Sequence, residues 1–158
     1  MLTTYLNETA LFLFMGVFTI KKPYEDATIN LVFDTIKKGK QAIVFVNSKR
    51  SAEKTAEEIA KKIKDVKYVN LKESVLSVLA HPTRQCERLA KCVLRGIAFH
   101  HAGLKAEQRE LVEDNFRDGT VKVICCTPTL AFGLDLPAYR VILKHLKRYT
   151  GHGLRWIP

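Results

Sequence analysis

The chain has 158 residues, enough for one domain with a sizeable hydrophobic core. Its apolar fraction of 47% is ordinary for a globular protein, and its longest apolar run, residues 10–18, is far shorter than the ~20 residues of a membrane-spanning helix. A formal charge of +10 favours a polyanionic partner such as nucleic acid or an anionic surface, although a generally basic protein without such a partner fits it too.

Strands and helices are predicted to alternate along the chain. The predicted elements are two short strands within residues 1–20, a helix at 24–38, a strand at 41–46, a helix at 49–63, a short helix near 73–79, a helix at 84–95, a strand at 97–99, a helix at 105–117, and strands at 121–126 and 140–143. The first helix has Ala27 and Leu31 on its predicted inward face. The strand at 41–46 is apolar after Gln41, which suits a central strand buried on both faces. This order predicts an α/β fold with a mainly parallel sheet covered by helices on both faces.

The cysteines indicate buried thiols rather than disulfides or a metal site. No CxxC pair occurs among the four, which are Cys86, Cys92, Cys125 and Cys126. The adjacent Cys125 and Cys126 would point to opposite faces of a strand. His100 and His101 are neighbours in the sequence, but no ligand set with zinc-like spacing surrounds them. We therefore expect free thiols in a cytoplasmic protein.

The informative polar residues lie in three loops that follow predicted parallel strands, where ligands of α/β sheets bind. In the first loop, residues 47–50, Ser48 and Lys49 come at the start of a helix, and Arg50 follows them. A hydroxyl, an ammonium group and free backbone N–H groups at a helix N-terminus suit a phosphate of a nucleic-acid backbone. The alternative is an ordinary N-cap serine beside a solvated basic turn.

The second loop, residues 100–104, contains two histidines and a glycine. Gly103 permits either a close backbone approach or a positive φ. His101 could hydrogen-bond a phosphate, or it could hold the loop against its neighbours. Both interpretations stay open at the level of the residues.

The third loop, residues 127–137, follows a strongly β-forming run. Thr127 and Thr129 offer hydroxyl groups, Gly133 frees the backbone, and Asp135 could accept hydrogen bonds from a ribose. The alternative is a strand-to-loop turn with two capping threonines.

No complete catalytic set is visible in the sequence. A GxxxxGK[ST] phosphate loop, a GxSxG or HExxH motif, a nucleophile–base pair and an acidic pair suited to magnesium are all missing. We therefore predict no catalytic residue and no metal ligand, and no catalysis by this chain alone.

The three loops together resemble the second RecA-like domain of superfamily 2 helicases. Residues 42–50 resemble motif IV of that family, the FHHAGL segment at 99–104 and residues 107–119 resemble its superkiller-like branch, and residues 127–138 resemble that branch's motif V. Within the branch the similarity is greatest to archaeal DNA helicases that unwind with 3′-to-5′ polarity at stalled replication forks. The resemblance implies a RecA-like three-layer sandwich with a mainly parallel central sheet.

The resemblance also implies roles for individual residues. Ser48, Lys49 and Thr127 match positions that touch phosphates of the tracking strand, with Arg50 and Thr129 beside them. His101 and Gly103 match a loop near the nucleic-acid path. The positions near ATP, at the cleft between two RecA-like domains, are matched by Gly133 and Asp135.

Further expectations concern the whole enzyme. The resemblance implies ATP and Mg²⁺ as cofactors, single-stranded or forked DNA and a first RecA-like domain as partners, and replication proteins as family-level partners. Motif VI, which carries the arginine finger, would follow Trp156. Residues 1–158 are thus expected to be one motor domain, inactive alone, of an ATP-dependent helicase in fork repair or recombination. An RNA helicase of the same branch and a non-catalytic nucleic-acid-binding module remain as alternatives.

Overall fold

The computed structural model describes residues 20–128 and 136–145 in full, and the backbone alone of residues 2–5, 147–150 and 153–156. In chain order its elements are β1 Leu2–Tyr5, α1 Ala27–Lys37, β2 Ala42–Phe45, α2 Lys49–Ala60, α3 Val69–Ser77, α4 Arg84–Val93, β3 Ile97–His100, α5 Ala106–Arg117, β4 Val123–Cys126, β5 Arg140–Leu143, β6 Lys147–Thr150 and β7 Gly153–Trp156. The predicted alternation of strands and helices is confirmed over residues 20–128.

Over the described residues the main sheet has five strands in the order β1-β5-β2-β4-β3, and all neighbouring strands run parallel. The apolar strand β2 lies at its centre, as predicted, and Ala42, Ile43 and Val44 are buried. Strands β6 and β7 form a separate antiparallel pair, which the sequence analysis did not predict.

Helices cover both faces of this sheet. Neighbouring residues of a strand point to opposite faces, and on β3 the His100 side chain bonds Glu113 of α5. The ring of Phe99 instead stacks on His101, which bonds Glu53 of α2. Because α5 and α2 therefore lie on opposite sides, the predicted RecA-like α/β sandwich is confirmed.

Two helix predictions need correction. Ala27, predicted to face inward, is exposed, because it is the first residue of α1, and the buried face of that helix begins at Thr28. Helix α3 begins at Val69, earlier than the predicted 73–79, and buries only Leu71 and Val75. The second strand predicted within residues 1–20 lies outside the described residues, which include only β1 of that segment.

The cysteine prediction is confirmed. Cys86, Cys92, Cys125 and Cys126 are all buried and free. Burial raises the pKa of the Cys92 thiol to about 12, so it stays protonated at neutral pH. Over the parts of the chain that the structure describes, every helix is too short or too polar to cross a lipid bilayer.

Candidate nucleic-acid interface

The three polar loops leave the same edge of the sheet at the same level. Phe45, the last residue of β2, pairs with Cys126, the last residue of β4, and Cys126 pairs with His100, the last residue of β3. The N–H of Val46 extends the ladder by donating to the Cys126 carbonyl at 2.9 Å. The expected meeting of loops 47–50, 101–104 and 127–128 at the carboxyl edge of the sheet is therefore confirmed for their described residues.

The first loop presents an exposed, positively charged helix start. The Ser48 hydroxyl accepts a hydrogen bond from the Ser51 N–H at 3.1 Å, so Ser48 is the N-cap of α2. Ser48, Lys49 and Arg50 are exposed, and the first turn of α2 contains no acidic residue. Ser48 therefore caps the helix, as the alternative interpretation proposes. The Lys49 and Arg50 side chains remain exposed beside the positive end of the helix dipole, where an anion is favoured.

The His101 ring lies inside the protein, and both of its nitrogens have partners. Its Nδ1 accepts a hydrogen bond from the Gly103 N–H at 3.1 Å, and its Nε2 lies 3.2 Å from the Glu53 carboxylate. The ring stacks on Phe99 with the centroids 5.6 Å apart and has no exposed surface. An Nδ1 that accepts cannot carry a proton, so Nε2–H donates to Glu53. This geometry favours the loop-holding interpretation of His101 over a direct phosphate contact.

Gly103 brings the second loop against the first. A Cβ atom on Gly103 would lie 3.0 Å from His101 Nδ1 and 3.6 Å from Lys49 Cδ. The φ of Gly103 is not positive. Of the two reasons predicted for a glycine at this position, a positive φ and a close backbone approach, the close approach therefore applies. The exposed end of Lys49 and the exposed backbone of Gly103 therefore form one surface.

Glu53 is the buried centre of a polar cluster beneath that surface. Besides His101, it accepts hydrogen bonds from Gln85 Nε2 at 2.7 Å and from the Arg88 guanidinium, and Arg88 also bonds Glu57. Although burial opposes ionisation, the hydrogen bond from Gln85 and the charge of Arg88 hold the pKa of Glu53 below its ordinary value. Burial lowers the pKa of His101, in keeping with its neutral, accepting Nδ1.

This cluster was not predicted from the sequence. A signal was present, because Lys49 and Glu53 are four residues apart and share one face of α2. Gln85 and Arg88 are three apart on α4 and both contact Glu53. Nothing in the sequence indicates that α4 packs on α2 at this point.

A further cation at the carboxyl edge has an internal partner. Lys144 follows β5, and its Nζ lies 2.8 Å from the carboxylate of Asp26. Asp26 also accepts a hydrogen bond from the Thr28 N–H and caps α1. Lys144 therefore joins β5 to α1, whereas Lys49 and Arg50 remain exposed.

The third loop is described only at its beginning. Thr127 is half-buried directly after β4, and Pro128 is exposed. Thr129, Gly133 and Asp135, the other candidates in this loop, lie outside the described residues.

Comparison with known proteins gives a family match across this site. The model of the helicase conserved C-terminal domain matches residues 25–147, which include every loop described above. The chain belongs to the helicase C-terminal domain family.

Relatives of this helicase C-terminal domain are named ATP-dependent DNA helicase Hel308. The protein of Pyrococcus abyssi is 51% identical over 134 residues, and that of Methanocella arvoryzae is 46% identical over 136 residues. These matches cover 81% and 83% of this chain but only 18% of either relative. The chain thus spans less than a fifth of the length of these relatives.

Acidification is expected to destabilise this helicase C-terminal domain. Burial lowers the pKa of His100, His101 and His145 in the folded chain. Their contribution to stability is complete above the unfolded pKa of about 6.5 and is lost as the pH falls below it, because the unfolded chain then binds more protons. Urea unfolding of the chain should therefore give a lower free energy at about pH 5.5 than at about pH 7.5.

The His101→Asn chain is the control for this prediction, because it lacks one of the three titrating rings. Its stability should fall less over the same pH interval. A wild-type stability that is constant, or that increases, on acidification contradicts the prediction.

Proposed function

We propose that this chain is the second RecA-like motor domain of an ATP-dependent DNA helicase and that it holds the phosphates of single-stranded DNA at the carboxyl edge of its sheet. The meeting of the first two loops, with Lys49 against Gly103, is the observation that carries this proposal. The relatives named ATP-dependent DNA helicase support the DNA substrate and the use of ATP. The net charge of +10 is in keeping with a polyanionic partner.

The proposed phosphate-binding groups come from the first and third loops. The Lys49 ammonium and Arg50 guanidinium groups supply charge, and free N–H groups at the start of α2 supply donors. Thr127 and Thr129 are proposed to add hydroxyl groups from the third loop. Ser48 caps the helix that presents them, and its exposed hydroxyl is a further proposed contact.

ATP is proposed to bind on the third loop, through Gly133 and Asp135. In this proposal Mg²⁺ and the phosphate loop belong to a first RecA-like domain that faces the loop, so the chain alone hydrolyses no ATP. Movement along the track with 3′-to-5′ polarity, action on forked DNA in repair or recombination, and contact with replication proteins are proposed for the whole enzyme. Phosphate contacts read neither base identity nor the 2′-OH that marks RNA, so binding of matched RNA and DNA oligonucleotides tests the RNA alternative.

Replacing Lys49 with alanine in the full-length protein is expected to weaken binding of a labelled single-stranded oligothymidylate about tenfold at low salt. The loss of one phosphate contact should also reduce the slope of log K against log salt concentration by about 0.7. Fluorescence anisotropy over a salt series measures both quantities. Stimulation of ATP hydrolysis by the same oligonucleotide should require correspondingly more DNA.

Lys54→Ala is the matched control, because Lys54 lies on the same helix and its side chain is 76% exposed beside Glu58. It removes the same charge without touching the loops, so its binding should stay within about twofold of wild type. Equal effects of the two substitutions would mean that general charge, not the site, sets the affinity. Wild-type binding by Lys49→Ala would remove the basis of the proposed function.

A further inference from the structure

A path of hydrogen bonds links the surface formed by Lys49 and Gly103 to helix α4, although α4 is not part of any of the three loops. It runs from Gln85 and Arg88 on α4 to Glu53 on α2, then through the His101 ring to the Gly103 N–H. The Glu53 side chain is 10% exposed and that of His101 has no exposed surface, so the bond between these two is shielded from water, whereas the Arg88 side chain is 32% exposed. Three different donors converge on one carboxylate.

The path ends where the two loops meet. Gly103 donates to His101, which fixes the direction of its peptide plane, and the side of the glycine where a Cβ would lie faces both the His101 ring and the Lys49 stem. Lys49 and Glu53 lie one turn apart on α2. The same helix face therefore carries the exposed cation and the buried carboxylate that orients the opposite loop.

The tautomer of His101 is set by this arrangement. Glu53 accepts from Nε2–H, so Nδ1 is left with its lone pair toward the Gly103 N–H. A proton on Nδ1, or the other tautomer, would set two donors against each other at 3.1 Å. Lys49 and Arg88 both disfavour a positively charged His101, whereas Glu53 favours it.

We propose that His101 is a positioning residue for single-stranded DNA binding: its Nδ1 holds Gly103 against Lys49, Glu53 sets the tautomer that leaves Nδ1 as an acceptor, and Lys49 makes the phosphate contact. This inference rests on the proposed function. It assigns part of the affinity for single-stranded DNA to a side chain that does not contact the DNA. Gln85 and Arg88 extend the support to α4.

Replacing His101 with asparagine or with glutamine tests the two hydrogen bonds of its ring one at a time. The Oδ1 of His101→Asn can occupy the place of Nδ1 and accept from Gly103, but the side chain is too short to reach Glu53. His101→Gln reaches the place of Nε2 and can donate to Glu53, but it has no acceptor at the Nδ1 position. Both variants lose the ring that stacks on Phe99, so this loss does not account for a difference in binding between them.

Binding of a labelled single-stranded oligothymidylate by the full-length protein, at one fixed salt concentration, compares the pair. His101→Gln should bind about fivefold more weakly than wild type, the effect of one lost hydrogen bond, and His101→Asn should stay within about twofold. In a Lys49→Ala background the two variants should bind alike, because His101 acts through Lys49. Thermal unfolding of every variant ensures that binding is measured on folded protein.

Equal binding by His101→Asn and His101→Gln with Lys49 present would overturn the inference, as would a difference between them that persists undiminished without Lys49. Either outcome, together with weakened binding by Lys49→Ala alone, leaves the proposed function standing. Wild-type binding by Lys49→Ala alone would instead show that the proposed function itself is wrong.

Discussion

Arg140→Met is expected to lower the free energy of unfolding of the chain by about 3 kcal/mol, because it removes three hydrogen bonds that a buried guanidinium donates, one of them to a carboxylate. The Arg140 guanidinium is buried between β5 and α1 and donates to the Leu31 carbonyl at 2.8 Å, the Thr35 hydroxyl at 2.8 Å and the Asp34 carboxylate at 2.9 Å. Methionine fills much of the same space but donates nothing. Urea unfolding followed by circular dichroism measures the loss.

Lys38→Met is the matched control, because Lys38 contacts the same Asp34 carboxylate from the surface. Its Nζ lies 2.9 Å from Asp34, and its side chain is 44% exposed. An exposed pair of this kind contributes under about 1 kcal/mol. If both substitutions cost the same, the burial of Arg140 would not be what makes its contacts stabilising.

Gly96→Ala is expected to cost about 3 kcal/mol, from a left-handed backbone and a lack of space together. Gly96 follows α4 with φ of +72°, and a Cβ there would lie 3.0 Å from the Tyr68 ring and 3.1 Å from the Thr120 carbonyl oxygen. The ring can shift, but the carbonyl belongs to the backbone just before β4. The same urea measurement applies.

Gly39→Ala separates the two contributions. Gly39 has a similar φ of +69°, but nothing lies within 4 Å of its would-be Cβ. Its substitution should therefore cost only the backbone strain, about 1 kcal/mol. A cost for Gly96→Ala no larger than this would contradict the crowding that the structure indicates.

The strands and the loops that follow them were predictable because their signals are local. The apolar run of β2 alone indicates burial on both faces, and parallel strands place their following loops at one edge. The glycines after α1, α4 and α5 at positions 39, 96 and 119 all have positive φ, as the ends of the predicted helices suggest.

Features set by distant contacts were not predictable. Glu53 lies 48 residues from His101 and 32 from Gln85, so no spacing in the sequence indicates their bonds. From the sequence, His101 could either contact a phosphate or hold the loop in place, and its complete burial favours the second interpretation. The start of helix α3 was predicted too late in the chain, because the apolar pattern of this helix is weak. Only Leu71 and Val75 are buried on it.

The position of β3 in the sheet has a consequence for how the three loops can vary in length. In the part of the chain that the structure describes, β3 is the last strand of the sheet, whereas β4 lies between β2 and β3. The loop after β4 therefore leaves the sheet with a neighbouring loop on each side, and an insertion at its start would displace both. The loop after β3 has a neighbouring strand on one side only, but its His101 and Leu104 side chains are buried, so it too has little room for extra residues. We expect related sequences to keep the length of both the 101–104 loop and the segment directly after Cys126.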